Sequence, residues 1–497
     1  MGRGQRGRRQ RQGRWRLRLS LTSLATLALA ACGSIAPPAK VALGDAPPAW
    51  QTPAASPTTS PAQGSAPWRL AQPGDSLDKG AWWTLFNDPG LNALQDQARQ
   101  ASPSLQVAAA RLRQARSLVD IAGAASLPRV DAGFRAARTG TSANRPAATA
   151  GAQSSASVQN DFVLSAAVSY ELDLFGRQRH EQQAALAFEQ QAQADALNAQ
   201  LVLSADLAAV YFTLRSLDAE IAVVEQGLQV QGRAADLLAA RHEGGAASGL
   251  DRAQQQAQID ATRTQLTLLR RQRGQLEHAL ATLVGTPASQ FTLPVALLPA
   301  SVPALPVALP AEVLQRRPDI AAAERAVAVA NAQLGLAKAA WFPSLTLSAS
   351  GGWEAKHIAS LIDAPSLLWA LGASLTQAVF DGGRLRAREE QAVAGQELAA
   401  ASYRQVVLRA LQEVEDGLLA LNALASAQAQ SQAATASAQR VLDIAQERYA
   451  GGLSTYLDVV TAQQNVLTNQ RLSSQLRGQQ LQAMAYLVKA LGGGWQP

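Results

Sequence analysis

Apolar positions along this chain keep two rhythms, and the pair of rhythms occurs twice. Leu203, Leu207, Val210, Leu214, Leu217, Ile221, Val224 and Leu228 step alternately by four and three, as do Val407, Leu411, Val414, Leu418, Leu421 and Ala425. That spacing draws one stripe along an α-helix and is the heptad of a coiled coil. The first such helix is predicted from about Arg179 to Ala240. At 1.5 Å per residue it would be ~90 Å long, too long for a compact domain. It stops at "RHEGGAASGLD", Arg241–Asp251, with the glycine pair Gly244 and Gly245. The second stops at "RYAGGLSTYLD", Arg448–Asp458, with Gly451 and Gly452, so Arg, Gly-Gly, Leu and Asp recur 207 residues on. Returning helices run from Asp251 to about Leu283, lined by Leu266, Leu269, Leu276, Leu280 and Leu283, and from Asp458 to about Leu491. Each copy therefore reads as a long helical hairpin.

A shorter helix precedes each hairpin. Helical pattern begins near Asp88. The segment from Pro103 aligns without gaps to that from Pro318, and Ala108, Ala115 and Ala122 match Ala323, Ala330 and Ala337. Alanine every seventh residue makes a seam along which backbones approach closely. Each segment ends at a helix-breaking proline, Pro128 or Pro343.

Beyond each proline the period falls to two. Phe162, Leu164, Ala166, Val168, Tyr170 and Leu172 alternate with smaller or polar residues, as do Leu345, Leu347 and Ala349, and Trp369, Leu371, Ala373 and Leu375. Val130, Ala132 and Phe134 form a weaker fourth strand. Such strands suit a membrane β-barrel with a wet lumen, and equally a soluble hairpin with one wet face. The first pair is joined by the polar stretch "TGTSANRPAATAGAQSSASVQN", placed outside the cell in the membrane reading. Second strands end in the turns "LDLFGR" and "AVFDGGR".

The expected fold is mainly α with membrane β: two structural repeats and four strands per chain. Four strands cannot close a barrel, and lipid does not tolerate open edges. Copies must therefore pool strands. Twelve from three chains is the simplest closure; arithmetic alone also admits two or four chains.

Charge changes this picture only at the front. The net charge of +7 comes from eight arginines within residues 1–31; without them the balance is −1, so a nucleic-acid partner is not indicated. That leader has a basic start, a short apolar run and "LAAC" ending at the sole cysteine, Cys32. It resembles a bacterial lipobox, which implies cleavage before Cys32 and a diacylglycerol and N-acyl (palmitate-type) lipid on it. Gly33 in the next position implies outer-membrane sorting. No other cofactor is expected. One cysteine excludes an intrachain disulfide. The divisions are 1–31 lipoprotein signal peptide; 32–80 lipidated tether rich in Pro, Ala and Ser; 81–290 first repeat; 291–310 Pro-rich equatorial connector; and 311–497 second repeat.

Catalytic motifs are not in evidence. The four histidines, His180, His242, His278 and His357, are scattered, and neither a G-x-S-x-G nor a phosphate-loop lysine motif occurs. His242 takes the slot of Tyr449 and reads as a tip residue. Glu413, Glu415 and Asp416 cluster, but on a heptad helix they read as a solvated face.

"LQRRPDIAAAERAVAVANAQLGLAKAAWFPSLTLSASGG", from Leu314, resembles the signature of outer-membrane efflux lipoproteins, the TolC/OprM-like (NodT-type) channels. "WWTLFNDPGLNAL", "LDLFGR", "VFDGGR" and the two tips agree. The resemblance implies a homotrimer with a 12-stranded barrel in the Gram-negative outer membrane and an α-barrel in the periplasm. It implies a passive exit duct for drugs and small solutes, with a periplasmic adaptor (membrane fusion) protein and an inner-membrane RND-type transporter as partners. It also implies a gate at the tips: Asp458 falls on a gate aspartate, Tyr449 on a tip tyrosine and Gly452 on the turn glycine. Ser454 stands where some members have a basic residue and Thr461 where they have a second aspartate, so Arg448 or Arg241 is the candidate latch. Three copies of Asp251 and Asp458 would ring the mouth with carboxylates, favouring cations. The competing reading is local, because Ser248-x-x-Asp251 and Thr455-x-x-Asp458 resemble helix capping boxes. Two other functions stay open, the exit duct of a type I protein-secretion system and a non-conducting structural periplasmic lipoprotein.

Overall fold

The computed structural model describes residues 49–52, 80–144, 156–299, 303, 313 and 315–493. Cys32, the leader and most of the tether and connector lie outside them. The described part of the connector, 291–299, has no regular structure. The chain forms two compact units. Of the described residues, one unit holds those within Ala115–Glu189 and Ala326–Ala400, and the other those within Leu43–Gln114, Gln190–Arg325 and Ala401–Pro497.

The elements come in two matching sets. After helix α1 (Pro89–Ala101) come α2 (Pro103–Ala124), strands β1 (Arg129–Thr141) and β2 (Ser157–Leu172), and helices α3 (Arg177–Glu243) and α4 (Gly249–Leu283). The second set is α5 (Pro318–Ala339), β3 (Ser344–Ala355), β4 (Leu367–Thr376), α6 (Arg384–Ala450) and α7 (Tyr456–Ala490). Corresponding helices have equal lengths: 22 residues for α2 and α5, 67 for α3 and α6, 35 for α4 and α7. At 1.5 Å per residue, α3 is about 100 Å long.

In the first unit the four strands form one antiparallel sheet in the order β1-β2-β3-β4. Its register puts the apolar sets opposite one another. Val130, Val168, Ala349 and Leu371 form one row across the sheet, and Phe134, Leu164, Trp353 and Leu367 another. Directly opposed residues share a face, so four separate alternations add up to one apolar face. That face is open: Trp369 is 72% exposed, Leu371 76% and Phe134 58%. The opposite face carries Ser165, Ser169, Ser348 and Ser350, and an Arg135–Asp161 ion pair of 2.7 Å. Among the described residues no helix is long and apolar enough to cross a membrane.

The second unit carries the main core. Trp82 and Phe86 of a 3-10 turn pack with Leu91, Leu207, Phe212, Leu214, Leu481 and Leu487. Asp88 caps α1 by accepting from Gly90 N and Leu91 N, and the Tyr211 hydroxyl donates to the same carboxylate at 2.8 Å. Beside this core lies a charged knot. Asp218, with a side chain 0% exposed, accepts from Arg215 at 2.9 Å and Arg273 at 2.6 Å. The two guanidiniums also donate to the carbonyls of Pro294 and Leu293, clamping the start of the connector.

Some boundaries differ from the sequence reading. Helices α2 and α5 end at Ala124 and Ala339, four residues ahead of Pro128 and Pro343. Proline restricts the residue before it to extended backbone, so the chain leaves the helix through short turns, Leu127 N to Ala124 O and Phe342 N to Ala339 O. The polar loop is shorter than its composition implied, because β1 runs to Thr141 and β2 starts at Ser157. Serine and threonine pair there through Thr141 and Ser157. The heptad stripe of α3 is buried or half-buried throughout, but Ala425, at the end of the α6 stripe, is exposed. Glu413 and Glu415 are not merely solvated. Glu413 pairs with Arg317 at 2.8 Å, and Glu415 accepts from Gln51 N and Thr52 N.

Candidate functional site

The two hairpin tips are built alike. At the end of α3, Ala246 N donates to Arg241 O and Gly245 N to His242 O; at the end of α6, Leu453 N donates to Arg448 O and Gly452 N to Tyr449 O. This pair of hydrogen bonds closes a helix only if one residue turns left-handed. Gly245 has φ +74° and Gly452 φ +71°, with open space where a Cβ would stand. Gly244 and Gly451 precede them on the last helical turns, and His242 Nδ1 donates to Ala247 O at 2.8 Å.

The two aspartates sit in the caps that restart the chain. The Asp251 carboxylate accepts from Ser248 N at 3.1 Å, while Ser248 Oγ accepts from Asp251 N. At the second tip the Asp458 carboxylate accepts both the N–H (3.1 Å) and the hydroxyl (3.0 Å) of Thr455. Asp458 is exposed and Asp251 half-exposed, so each keeps a wet side. Among the described residues neither forms an ion pair within the chain.

The arginines do something other than latch to these acids. Arg241 stacks its guanidinium over the Tyr449 ring, 5.7 Å from the centroid, and Arg448 donates to Leu453 O within its own tip. Tyr449 meets Tyr456 edge to face at 5.1 Å. The Tyr456 hydroxyl donates to Gln255 Oε1 at 3.0 Å, and Gln255 Nε2 donates to Gln231 O at 2.8 Å. Tyr456 belongs to the second hairpin; Gln255, Gln231 and Arg241 belong to the first. A chain of neutral hydrogen bonds, with the Arg241 guanidinium over the Tyr449 ring beside it, therefore joins the two hairpins. Burial first, then the neighbouring Tyr449 and Asp251, push the Tyr456 hydroxyl up to about 12, so it remains a donor at any physiological pH. A cleft of about 400 Å³ lies beside this junction, lined by Val230, Arg233, Leu237, Arg241, Tyr449 and Gln463.

No pattern in the sequence singles out Tyr456 and Gln255. The one trace of them is a break in the repeat: Tyr456 stands where the first copy has Gly249. Of the two departures noted in the sequence, Thr461 returns its hydroxyl to Leu457 O within α7, and Ser454 is half-buried. Among the described residues no cluster of histidine and acids is arranged to hold a metal.

Comparison with known proteins agrees with this architecture. The family model described as outer membrane efflux protein matches residues 94–286 and 309–493. The pyoverdine export outer membrane protein OpmQ of Pseudomonas putida is 35% identical over 474 residues, 95% of this chain and 96% of that one. The toluene efflux pump outer membrane protein TtgF of Pseudomonas putida is 34% identical over 83% of this chain and 85% of its own length. Among solved structures, the outer-membrane channel OprN gives a TM-score of 0.79 at 29% identity, covering 88% of this chain and all of that one. The outer membrane protein VceC of Vibrio cholerae gives 0.76 at 30% identity, over 84% and 99%.

Proposed function

The chain belongs to the outer membrane efflux protein family, and from that premise we propose that three copies build a water-filled exit duct closed at its inner end by the hairpin tips. It is an outer-membrane component of an efflux pump. The observation that carries the finer reading is the sheet: four strands with one continuous, exposed apolar face and two unpaired edges. Such a sheet is unstable in water and incomplete in lipid, and twelve strands from three copies relieve both defects.

In this reading the polar strand faces line the lumen, and the chain carries out no reaction of its own. A periplasmic adaptor and an inner-membrane transporter supply contact and energy. Cys32 carries the lipid anchor. The gate is the junction between the hairpins of one chain, Tyr456–Gln255–Gln231 with Arg241 over Tyr449. Asp251 and Asp458 hold the helix starts and present the outer sides of their carboxylates to the mouth. The relatives support leaving the cargo to the pump: OpmQ and TtgF are named for pyoverdine and for toluene, yet their identities to this chain, 35% and 34%, barely differ.

The test is purification in detergent, mass determination, and conductance in planar bilayers. A trimer with ion flux that rises when the tip junction is cut supports the proposal. A stable monomer without flux ends it and favours the structural lipoprotein.

A further inference from the structure

The internal repeat supplies a ruler for the two open strand edges. Pro128 corresponds to Pro343, an offset of 215, and Arg177 to Arg384 and Arg241 to Arg448, an offset of 207. The sheet obeys these offsets although they come from its flanks. Arg129 faces Ser169 in the first strand pair; adding 215 to one and 207 to the other gives Ser344 and Thr376, which face each other in the second. The two β-hairpins are thus equivalent residue by residue.

A third ladder, β2 with β3, joins the first repeat to the second. In it Val168 faces Ala349 and Leu172 faces Leu345. If copies are arranged in a ring in which every repeat has equivalent neighbours, the second repeat of one meets the first repeat of the next in the same way. Applying the offsets to this ladder moves Val168 to Leu375 and Leu172 to Val379, and moves Ala349 to Phe134 and Leu345 to Val130. We infer that β4 of one copy pairs antiparallel with β1 of a second copy, with Leu375 opposite Phe134 and Val379 opposite Val130. The inference rests on the trimeric reading above and adds to it the register of the seam.

Two further observations fit. Every residue paired across this seam keeps its face: Leu375 and Val379 are apolar-face residues of β4 and its extension, and Phe134 and Val130 are apolar-face residues of β1. A slip of one residue would set Leu375 against Arg135 and turn one strand over. Strand β2 also continues past Ser169, its last residue opposite β1, to Leu172, accompanied there by β3 alone. Strand β4 stops at Thr376, its last residue opposite β3, and Val379, the counterpart of Leu172, is 96% exposed. Residues 377–379 are therefore the stretch that a neighbouring β1 would order.

A slip of two residues keeps every face, so the experiment must separate registers. The full-length protein is prepared with Leu375→Cys and Phe134→Cys, with Thr376→Cys and Gly133→Cys, and with Leu375→Cys and Ala132→Cys as the slipped control. The first two pairs sit on opposite faces, so one of them falls at a non-hydrogen-bonded site where the side chains are closer. Strands β1 and β4 lie three strand spacings apart in one chain, about 14 Å, beyond the reach of a disulfide. Any bridge between them must join copies. Mild oxidation followed by denaturing, non-reducing electrophoresis is expected to give covalent dimers and trimers for at least one of the first two pairs and none above wild type for the control. Bridging of the slipped pair at equal or greater yield overturns the register. So does bridging of neither predicted pair in a protein that is still trimeric by light scattering. A monomer by light scattering overturns the trimeric reading and this inference together.

Discussion

Replacing Tyr456 with phenylalanine removes one oxygen from the place where the two hairpins meet. The ring stays, so packing against Tyr449 is kept and no cavity opens. Tyr456 is 4% exposed and Gln255 1%, so water does not replace the lost donor. Gln255 Oε1 becomes a buried acceptor without a partner, a loss of about 1–3 kcal/mol. The lower half of that range applies, because Gln255 Nε2 keeps its bond to Gln231 O. A change of about 1–2 kcal/mol shifts a two-state balance by roughly 5- to 30-fold. In the proposed duct each chain would then open that much more often, read as open probability in planar bilayers and as entry of a large hydrophilic antibiotic into cells. Adding Gln255→Met removes the stranded acceptor as well, and the double variant is expected to lie closer to wild type than Tyr456→Phe does. A Tyr456→Phe trimer of normal yield whose opening changes less than twofold would refute the assignment of this contact to the gate.

Asp251→Asn with Asp458→Asn keeps the oxygen acceptors of both caps and would remove six charges from the mouth of the proposed trimer. Normal thermal stability with a reversal potential moved toward zero in a salt gradient is expected, and an unmoved potential would leave these residues as caps alone. Gly245→Ala and Gly452→Ala meet no atom but force alanine to a positive φ, so each should destabilise by about 1 kcal/mol, seen as a small fall in melting temperature without loss of trimer. The Tyr456 hydroxyl, pushed up to about 12, holds its proton in the folded tip between pH 10 and 12 while the unfolded chain has released it. Stability should be insensitive to this group below pH 10 and fall as pH rises through that window, and the fall should shrink in Tyr456→Phe when unfolding is followed by circular dichroism. Asp218→Asn takes the carboxylate from the buried Arg215 and the half-buried Arg273, though Glu277 still pairs with Arg273 and two carbonyls still accept from the guanidiniums, so a loss of about 3 kcal/mol and faster proteolysis within 291–299 are expected.

Much of this architecture can be read without coordinates because it repeats. Two heptad stripes, two Gly-Gly tips and four alternating strands each impose a period, and a period survives in the sequence. What escapes is what has no period. Asp218 lies beside the heptad residue Leu217 and reads as solvent-facing, while Arg273, 55 residues away, is a charged interruption of the stripe between Leu269 and Leu276; only packing under the connector brings the two together. The aspartates at the tips were legible as caps, since the motif is local. The bond that joins the hairpins was not, because Tyr456 and Gln255 are 201 residues apart and neither has a counterpart of its own type in the other copy. Likewise the sequence offers Arg241 as a candidate latch but not the ring of Tyr449, 208 residues on, as what it meets.

The matching helix lengths and the two offsets leave a single place where the copies differ in size. From α2 through α4 against α5 through α7, the eight residues separating the offsets of 215 and 207 all fall between Pro128 and Arg177. One residue inserted in a helix rotates all that follows by about 100° and shifts it by about 1.5 Å, which would turn a greased stripe toward water. The hairpin end has no such phase to keep. A peptide tag or a short antigenic graft belongs there and nowhere along the 67-residue rods.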